Sequence, residues 1–197
     1  MFGNRLDLAE RYAALLADQG IVRGLIGPRE APRIWDRHIL NCAVVASRLP
    51  QGATVADIGT GAGLPGIVWA VARPDIHVTL IEPMLRRTRF LEDAERELGL
   101  GNVTVVRGRA ENLTGSVTVD VVTARAVAPL ARLAGLAAPL LRPGGMLLAF
   151  KGQSAADELA SATSELTKLG ASSWSVEAFG DGIVDPVTRV VVVELGG

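Results

Sequence analysis

Apolar residues in the first fifty positions recur at helical spacing, and from Thr54 onward short apolar runs alternate with amphipathic stretches. Leu8, Tyr12, Leu15 and Leu16 predict a helix over Leu6 to Ala17, ended by Gly20. Gly27-Pro28 breaks the chain. Ile34, Ile39, Cys42, Val45 and Leu49 predict a second helix over Ile34 to Arg48, stopped by Pro50-Gln51-Gly52. Five short strands follow at Thr54–Ile58, His77–Ile81, Val103–Arg107, Asp120–Ala124 and Met146–Phe150. Helices lie between them: Pro65 to about Ala72, Met84–Leu98 ended by Gly99, and Pro129–Leu141 stopped by Arg142-Pro143-Gly144-Gly145. Pro65 is expected at the first helical position, where its missing N–H is harmless. Ala155–Leu169, capped by Ser154 and ended at Gly170, is the last helix, and Ser173–Phe179 and Thr188–Glu194 are expected to pair antiparallel. Strands alternating with helices of 10 to 15 residues predict an α/β fold, a mostly parallel seven-stranded sheet with helices on both faces. Residues 1–50 read as a helical cap on a core spanning 51–197, within one domain of 1–197.

Composition narrows the function. Hydrophobic residues make up 49% of the chain but aromatics only 4%, so the core is built from Ala, Val, Leu and Ile. That excludes an aromatic stacking platform of the kind that reads single-stranded RNA. Cys42 is the only cysteine, which excludes an internal disulfide and a multi-cysteine metal site, and no metal is expected. No apolar run reaches the roughly 18 residues of a membrane helix; the longest, Val127 to Leu141, is interrupted by Arg132. Asp7 and Glu10 stand where a signal peptide would be basic or apolar. A soluble, cytoplasmic monomer without a membrane partner is expected. The formal net charge is −1, but it is unevenly spread. Residues 1–50 hold seven arginines against five acids, 51–150 ten against nine, and 151–197 three cations against seven acids. This permits a nucleic-acid partner without requiring one.

Val55-Ala56-Asp57-Ile58-Gly59-Thr60-Gly61-Ala62-Gly63-Leu64-Pro65-Gly66 carries the chemistry. Glycines at a strand-to-helix turn let backbone approach a ligand at the carboxyl edge of a sheet. Gly61 to Gly66 also fits G-x-G-x-x-G, so a dinucleotide site stays open. Asp57, two residues before the first glycine, suits a cationic or amino-bearing ligand and would repel a pyrophosphate; S-adenosylmethionine carries both a sulfonium and an ammonium. Glu82, ending the second strand, is placed to accept hydrogen bonds from the ribose hydroxyls of an adenosine, whether of this cofactor or of NAD. Ala110-Glu111, after the third strand, is where a backbone N–H and a side chain could meet adenine. After the fourth strand the chain reads Val122-Thr123-Ala124-Arg125-Ala126, without the Asn-Pro-Pro-Tyr-like motif of exocyclic adenine methylation. Cys42, in a core-facing helix, does not suit a thiolate attack on cytosine. An acceptor with a free lone pair, such as guanine N7, needs neither device, only in-line placement at roughly 3–3.5 Å.

Trp35-Asp36-Arg37-His38-Ile39-Leu40, the Asp57–Gly66 loop with its Gly-Leu-Pro-Gly ending, Arg109-Ala110-Glu111, Arg125-Ala126 and Lys151-Gly152 together resemble the bacterial 16S ribosomal RNA (guanine-N7) methyltransferases, the RsmG or glucose-inhibited division protein B family. The resemblance runs from about Arg11 to Phe179 and implies a Rossmann-like class I methyltransferase that uses S-adenosylmethionine on the 16S RNA of the small ribosomal subunit. It implies cofactor contacts at Gly59, Leu64, Ala110, Glu111 and Arg125, beside Asp57, Gly61 and Glu82 from the loop argument. Two segments depart from the pattern: Arg23–Glu30 replaces an Asn-Leu-Thr segment, and Ala124 stands where many members have Ser. No side chain is assigned to the chemical step; His38, Arg125 and Lys151 are candidates for positioning substrate. Arg33, Arg37, Arg86, Arg87 and Arg89 are candidates for the RNA face. The rival readings are a methyltransferase of another RNA or a small molecule, a nucleotide-dependent oxidoreductase, and a non-catalytic ribosome-assembly factor.

Overall fold

A computed structural model describes all 197 residues. Seven strands form one sheet in the order β3-β2-β1-β4-β5-β7-β6. They are β1 (Thr54–Ile58), β2 (His77–Glu82), β3 (Val103–Arg107), β4 (Val119–Arg125), β5 (Leu141–Phe150), β6 (Ala171–Phe179) and β7 (Thr188–Leu195). β1 to β5 are mutually parallel, and β7 runs antiparallel to both β5 and β6, as the pattern predicts. The chain steps outward from β1 to β2 and β3, then returns to place β4 on the other side of β1. That reversal opens a crevice at the carboxyl ends of β1 and β4, where ligands bind in sheets of this kind.

The helices are α1 (Leu6–Leu15), α2 (Asn41–Ala43), α3 (Gly66–Ala72), α4 (Leu85–Leu98), α5 (Leu130–Ala137) and α6 (Ala155–Lys168). Period-two alternation along the strands builds two cores. Val55, Val121, Val190 and Val192 face the side covered by α1, α3, α4 and the other N-terminal helical turns. Ala56, Val122, Val191 and Val193 face α5 and α6. The N-terminal helices are pinned by polar contacts as well as by packing. Trp69, fully buried on α3, donates its indole N–H to the Cys42 carbonyl at 2.8 Å, and the Tyr12 hydroxyl donates to the Ala62 carbonyl at 2.7 Å. No helix is long and apolar enough to cross a membrane.

Four local details differ from the sequence pattern. The second predicted helix is one helical run, but α2 is its only α-type turn; Ile34–Leu40 is wider and Val44–Arg48 tighter. Pro65 is the residue before α3, which starts at Gly66. Arg142–Gly145 belongs to β5, bulged so that Val119 pairs with Leu141 and Val121 with Met146. Ser154 precedes α6 but makes no side-chain cap; its hydroxyl lies 3.0 Å from the Lys151 carbonyl and from Glu158 Oε1.

Candidate active site

The glycine loop leaves β1 at Ile58, and its first turn is held by Gly59 donating its N–H to the Ile81 carbonyl at 2.8 Å. Gly59 has φ +63°, a conformation that strains any residue with a Cβ, and a Cβ there would stand 2.9 Å from Val127 Cγ2. Gly66 is required for a different reason. A Cβ on it would collide with the Leu80 side chain and lie 2.8 Å from Asp57 Oδ2, so α3 could not approach β2.

Asp57 is fully buried and braces the loop from inside. Its Oδ2 accepts from the Thr60 hydroxyl at 2.5 Å and from the Gly66 N–H at 2.9 Å, while Oδ1 is buried without a partner. Burial pushes its carboxyl up to about 7 against the lowering effect of the Thr60 and Gly66 hydrogen bonds. The carboxylate that the sequence pattern offers to a ligand is thus half occupied by its own loop.

Glu82 ends β2 at 1% exposure. Its Oε2 accepts from the Gly61 N–H at 3.1 Å and its Oε1 from the Met84 N–H at 3.0 Å, with Arg87 Nη1 3.4 Å from Oε2. Arg87 therefore turns inward to the loop. Arg37 is likewise paired, with Glu30 at 2.9 Å. Of the five arginines predicted for an RNA face, only Arg33, Arg86 and Arg89 have no carboxylate partner.

A hydrogen-bonded chain joins the N-terminal helices to the end of β4. Arg125 donates from Nη2 to the Arg37 carbonyl at 3.0 Å and to His38 Nδ1 at 3.1 Å, and from Nη1 to Cys42 Sγ at 3.3 Å. A guanidinium only donates, so His38 Nδ1 accepts and its proton resides on Nε2, which lies 3.1 Å from Glu30 Oε2. The imidazole is neutral in this arrangement: burial first, then the Arg125 charge, holds His38 below its ordinary value despite Glu30. Lys151 is committed too. Its side chain is 8% exposed, its Nζ lies 2.8 Å from Glu158 Oε2, and it donates to the Ala128 carbonyl. Glu158 also accepts the Leu130 N–H at 3.0 Å, so this pair fixes the segment between β4 and α5.

That segment is where three cavities meet. One of about 210 Å³ lies between Gly59 and Ala110-Glu111 and is floored by Ile58 and Ile81. A second, of about 540 Å³, runs from Gly59 through Gly61 and Leu64 to His38 and Arg125, under the N-terminal helices. The third, about 720 Å³, extends from Arg125 past Phe150 and Lys151 to Thr188 and Arg189. Gly59 is common to the first two, Val127 and Ala128 to the first and third, Arg125 and Ala126 to the second and third. Ala126, at the junction, holds φ +57°, a left-handed conformation that costs a Cβ-bearing residue about 1–2 kcal/mol.

The predicted residues Gly59, Gly61, Leu64, Ala110, Glu111 and Arg125 thus line adjoining cavities at the carboxyl edge of β1, β2 and β4, whereas Asp57 and Glu82, both buried, line none of the three and act on the site through the loop they hold. Arg86 and Arg89 lie outside it, exposed on α4. Glu30, Tyr12 and Val127 escaped the sequence analysis as site residues. Tyr12 carries an ordinary core signature, and Glu30 and Val127 acquire their roles only through partners far along the chain.

The conserved pattern of the family described as rRNA small subunit methyltransferase G matches residues 5–187. The chain belongs to that family. Ribosomal RNA small subunit methyltransferase G of Streptomyces avermitilis is 57% identical over 197 residues, covering 100% of this chain and 83% of the relative. The protein of the same name from Thermobifida fusca is 56% identical over 193 residues, covering 98% and 81%. Among solved structures, an S-adenosylmethionine-dependent O-methyltransferase from Thermotoga maritima superposes with a TM-score of 0.64 at 16% identity, over 85% of this chain and 70% of that one. Aeropyrum pernix fibrillarin, solved with natively bound S-adenosyl-L-methionine, gives 0.58 at 18% identity over 78% and 76%. The fold is the Rossmann-like methyltransferase fold, and family membership removes the oxidoreductase reading.

Proposed function

We propose that this rRNA small subunit methyltransferase G family member transfers a methyl group from S-adenosylmethionine to N7 of a guanine in 16S ribosomal RNA, in the cytoplasm. The observation that carries this reading is the pair of cavities meeting at Gly59. The smaller, between Gly59 and Ala110-Glu111, suits adenine; the larger, along Gly61 and Leu64, suits the methionine part. In this reading Glu82, which holds the Gly61 N–H, serves the ribose, and a Cβ on Gly59, 2.9 Å from Val127 Cγ2, would crowd the boundary between the two cavities. Asp57 supports the reading from beneath the loop, where its buried carboxyl holds Thr60 and the Gly66 N–H in place. In this reading residues 1–50 act as a cap over the methionine side of the core formed by 51–197.

The bound cofactor supplies an activated methyl carbon on a sulfonium, so the protein's work is alignment and exclusion of water. Arg125, clamped by His38, Cys42 and the Arg37 carbonyl, forms the wall between the methionine-side and target-side cavities. None of the three positioning candidates is free to take a proton: both His38 nitrogens are hydrogen-bonded, Lys151 is paired with Glu158, and Arg125 is a permanent cation. That absence suits guanine N7, which reacts through a free lone pair and loses no proton. The test is transfer of labelled methyl to small subunits lacking the modification, with the product base mapped by strand scission at N7-methylguanine. Label found in protein, in large-subunit RNA or on another atom would refute the reading.

A further inference from the structure

The 720 Å³ cavity holds more positive charge than its own acids neutralise. Its lining carries three cations, Arg125, Lys151 and Arg189, against one acid, Glu158. Lys151 takes that acid. Arg125 is satisfied by a thiol, a carbonyl and a neutral imidazole, so its hydrogen bonds are made but its charge is not compensated. Arg189, half-buried at the start of β7, makes no side-chain hydrogen bond or ion pair. A partly desolvated excess of positive charge calls for an anion from outside.

The excess continues beyond this cavity. Through Val127 and Ala128 it adjoins the 210 Å³ cavity, whose rim carries Arg109 and Arg132. Both are exposed, and neither guanidinium has a protein partner. Glu111 faces the same cavity, on the side argued above to meet adenine. No residue of the N-terminal helices lines that rim. Three unpaired arginines from three separate elements thus follow the carboxyl edge of the sheet around the Ala126–Ala128 junction.

We propose that Arg189, Arg132 and Arg109 form the phosphate track of the RNA substrate, with Arg189 holding the backbone of the nucleotide whose base enters the 720 Å³ cavity. This rests on the methyltransferase reading, and it moves the main RNA contact away from α4 and the N-terminal helices to the opposite side of the cofactor site. Arginine fits the task because its fork meets a phosphate with two donors at once.

The experiment measures affinity for protein-free small-subunit RNA between about 50 and 200 mM salt, for the full-length protein and two triple variants. One is Arg109→Gln/Arg132→Gln/Arg189→Gln, the other Arg33→Gln/Arg86→Gln/Arg89→Gln. The log–log salt slope should flatten by about 0.7 for each phosphate no longer neutralised, about 2 for the first triple, and hardly change for the second. Arginine-to-lysine versions of the first triple should restore most of the slope, which separates removal of charge from failure to fold. An unchanged slope in the first triple, or the full flattening in the second, overturns the track. Weakened binding confined to assembled subunits, with the naked-RNA slope intact, would assign these arginines to an acidic protein surface and overturn it too. Wild-type protein that binds the RNA with no salt dependence would defeat the track, whereas failure of methyl transfer with a normal slope would defeat only the reading beneath it.

Discussion

His38 accepts on Nδ1 a hydrogen bond from the Arg125 guanidinium 3.1 Å away, and this contact fixes both the tautomer of the ring and the wall of the site. The ring nitrogen that faces Arg125 must stay unprotonated, because a second cation there would repel the first. Nitrogen-15 NMR should find the neutral His38 ring as the Nε2–H tautomer. Its folded value lies below 6.5, so its contribution to stability is complete above 6.5 and is lost as pH falls toward the folded value. His38→Ala should lower kcat more than it weakens cofactor binding. A neutral ring protonated on Nδ1 would show that the clamp is built differently.

Asp57 gives the opposite pH signature. Its carboxyl is raised from 3.8 to about 7, so the folded chain holds the proton more tightly than the unfolded chain does. The associated stability is complete below about 3.8 and is lost as pH rises through about 7. In urea titrations Asp57→Asn should flatten the pH dependence across that window. Asp57→Ala should cost about 1–3 kcal/mol, since it strands the buried Gly66 N–H. Equal pH dependence in wild type and Asp57→Asn would mean that the buried carboxyl is not the titrating group.

Glu82→Ala should weaken S-adenosylmethionine and S-adenosylhomocysteine alike, by about 1.5–3 kcal/mol each, because the ribose is common to both. Calorimetry on the two ligands decides it. Weakening of one alone would place Glu82 at the sulfur end.

Val127 packs over Gly59, the residue common to the two cavities proposed for the cofactor. Val127→Ala should therefore tighten cofactor binding modestly, since less side chain is displaced. Gly59→Ala should abolish binding and destabilise the fold by about 1–2 kcal/mol through its left-handed φ. Combining the two should relieve the clash without restoring affinity. Recovery of affinity in the double variant would show that the clash, and not the turn, governs the site.

The mostly parallel sheet, its antiparallel end and both layers of helices were legible because strand and helix patterns alternate cleanly from Thr54 onward; the order of the strands came from the structure. The glycine loop was legible because its composition encodes a backbone shape. The fate of individual charges was not. Arg86, Arg87 and Arg89 look equivalent in sequence, yet Arg87 turns inward to Glu82 because it lies on the face of α4 nearest β2. Lys151 looks free at a strand end but is buried against Glu158, a partner set by the packing of α6. The acidic surplus of residues 151–197 hides Arg189, whose importance comes from its unpaired position beside Arg125 and not from the charge of its segment.

The most direct measurement is transfer of labelled methyl from S-adenosylmethionine to unmodified small ribosomal subunits or their RNA by the wild-type protein. The account predicts stoichiometric label at N7 of one guanine in the small-subunit RNA, abolished by Gly59→Ala and reduced by Glu82→Ala at equal, subsaturating cofactor concentration. Folded, cofactor-bound protein that leaves the small-subunit RNA unlabelled, or labels another atom of it, would contradict the account.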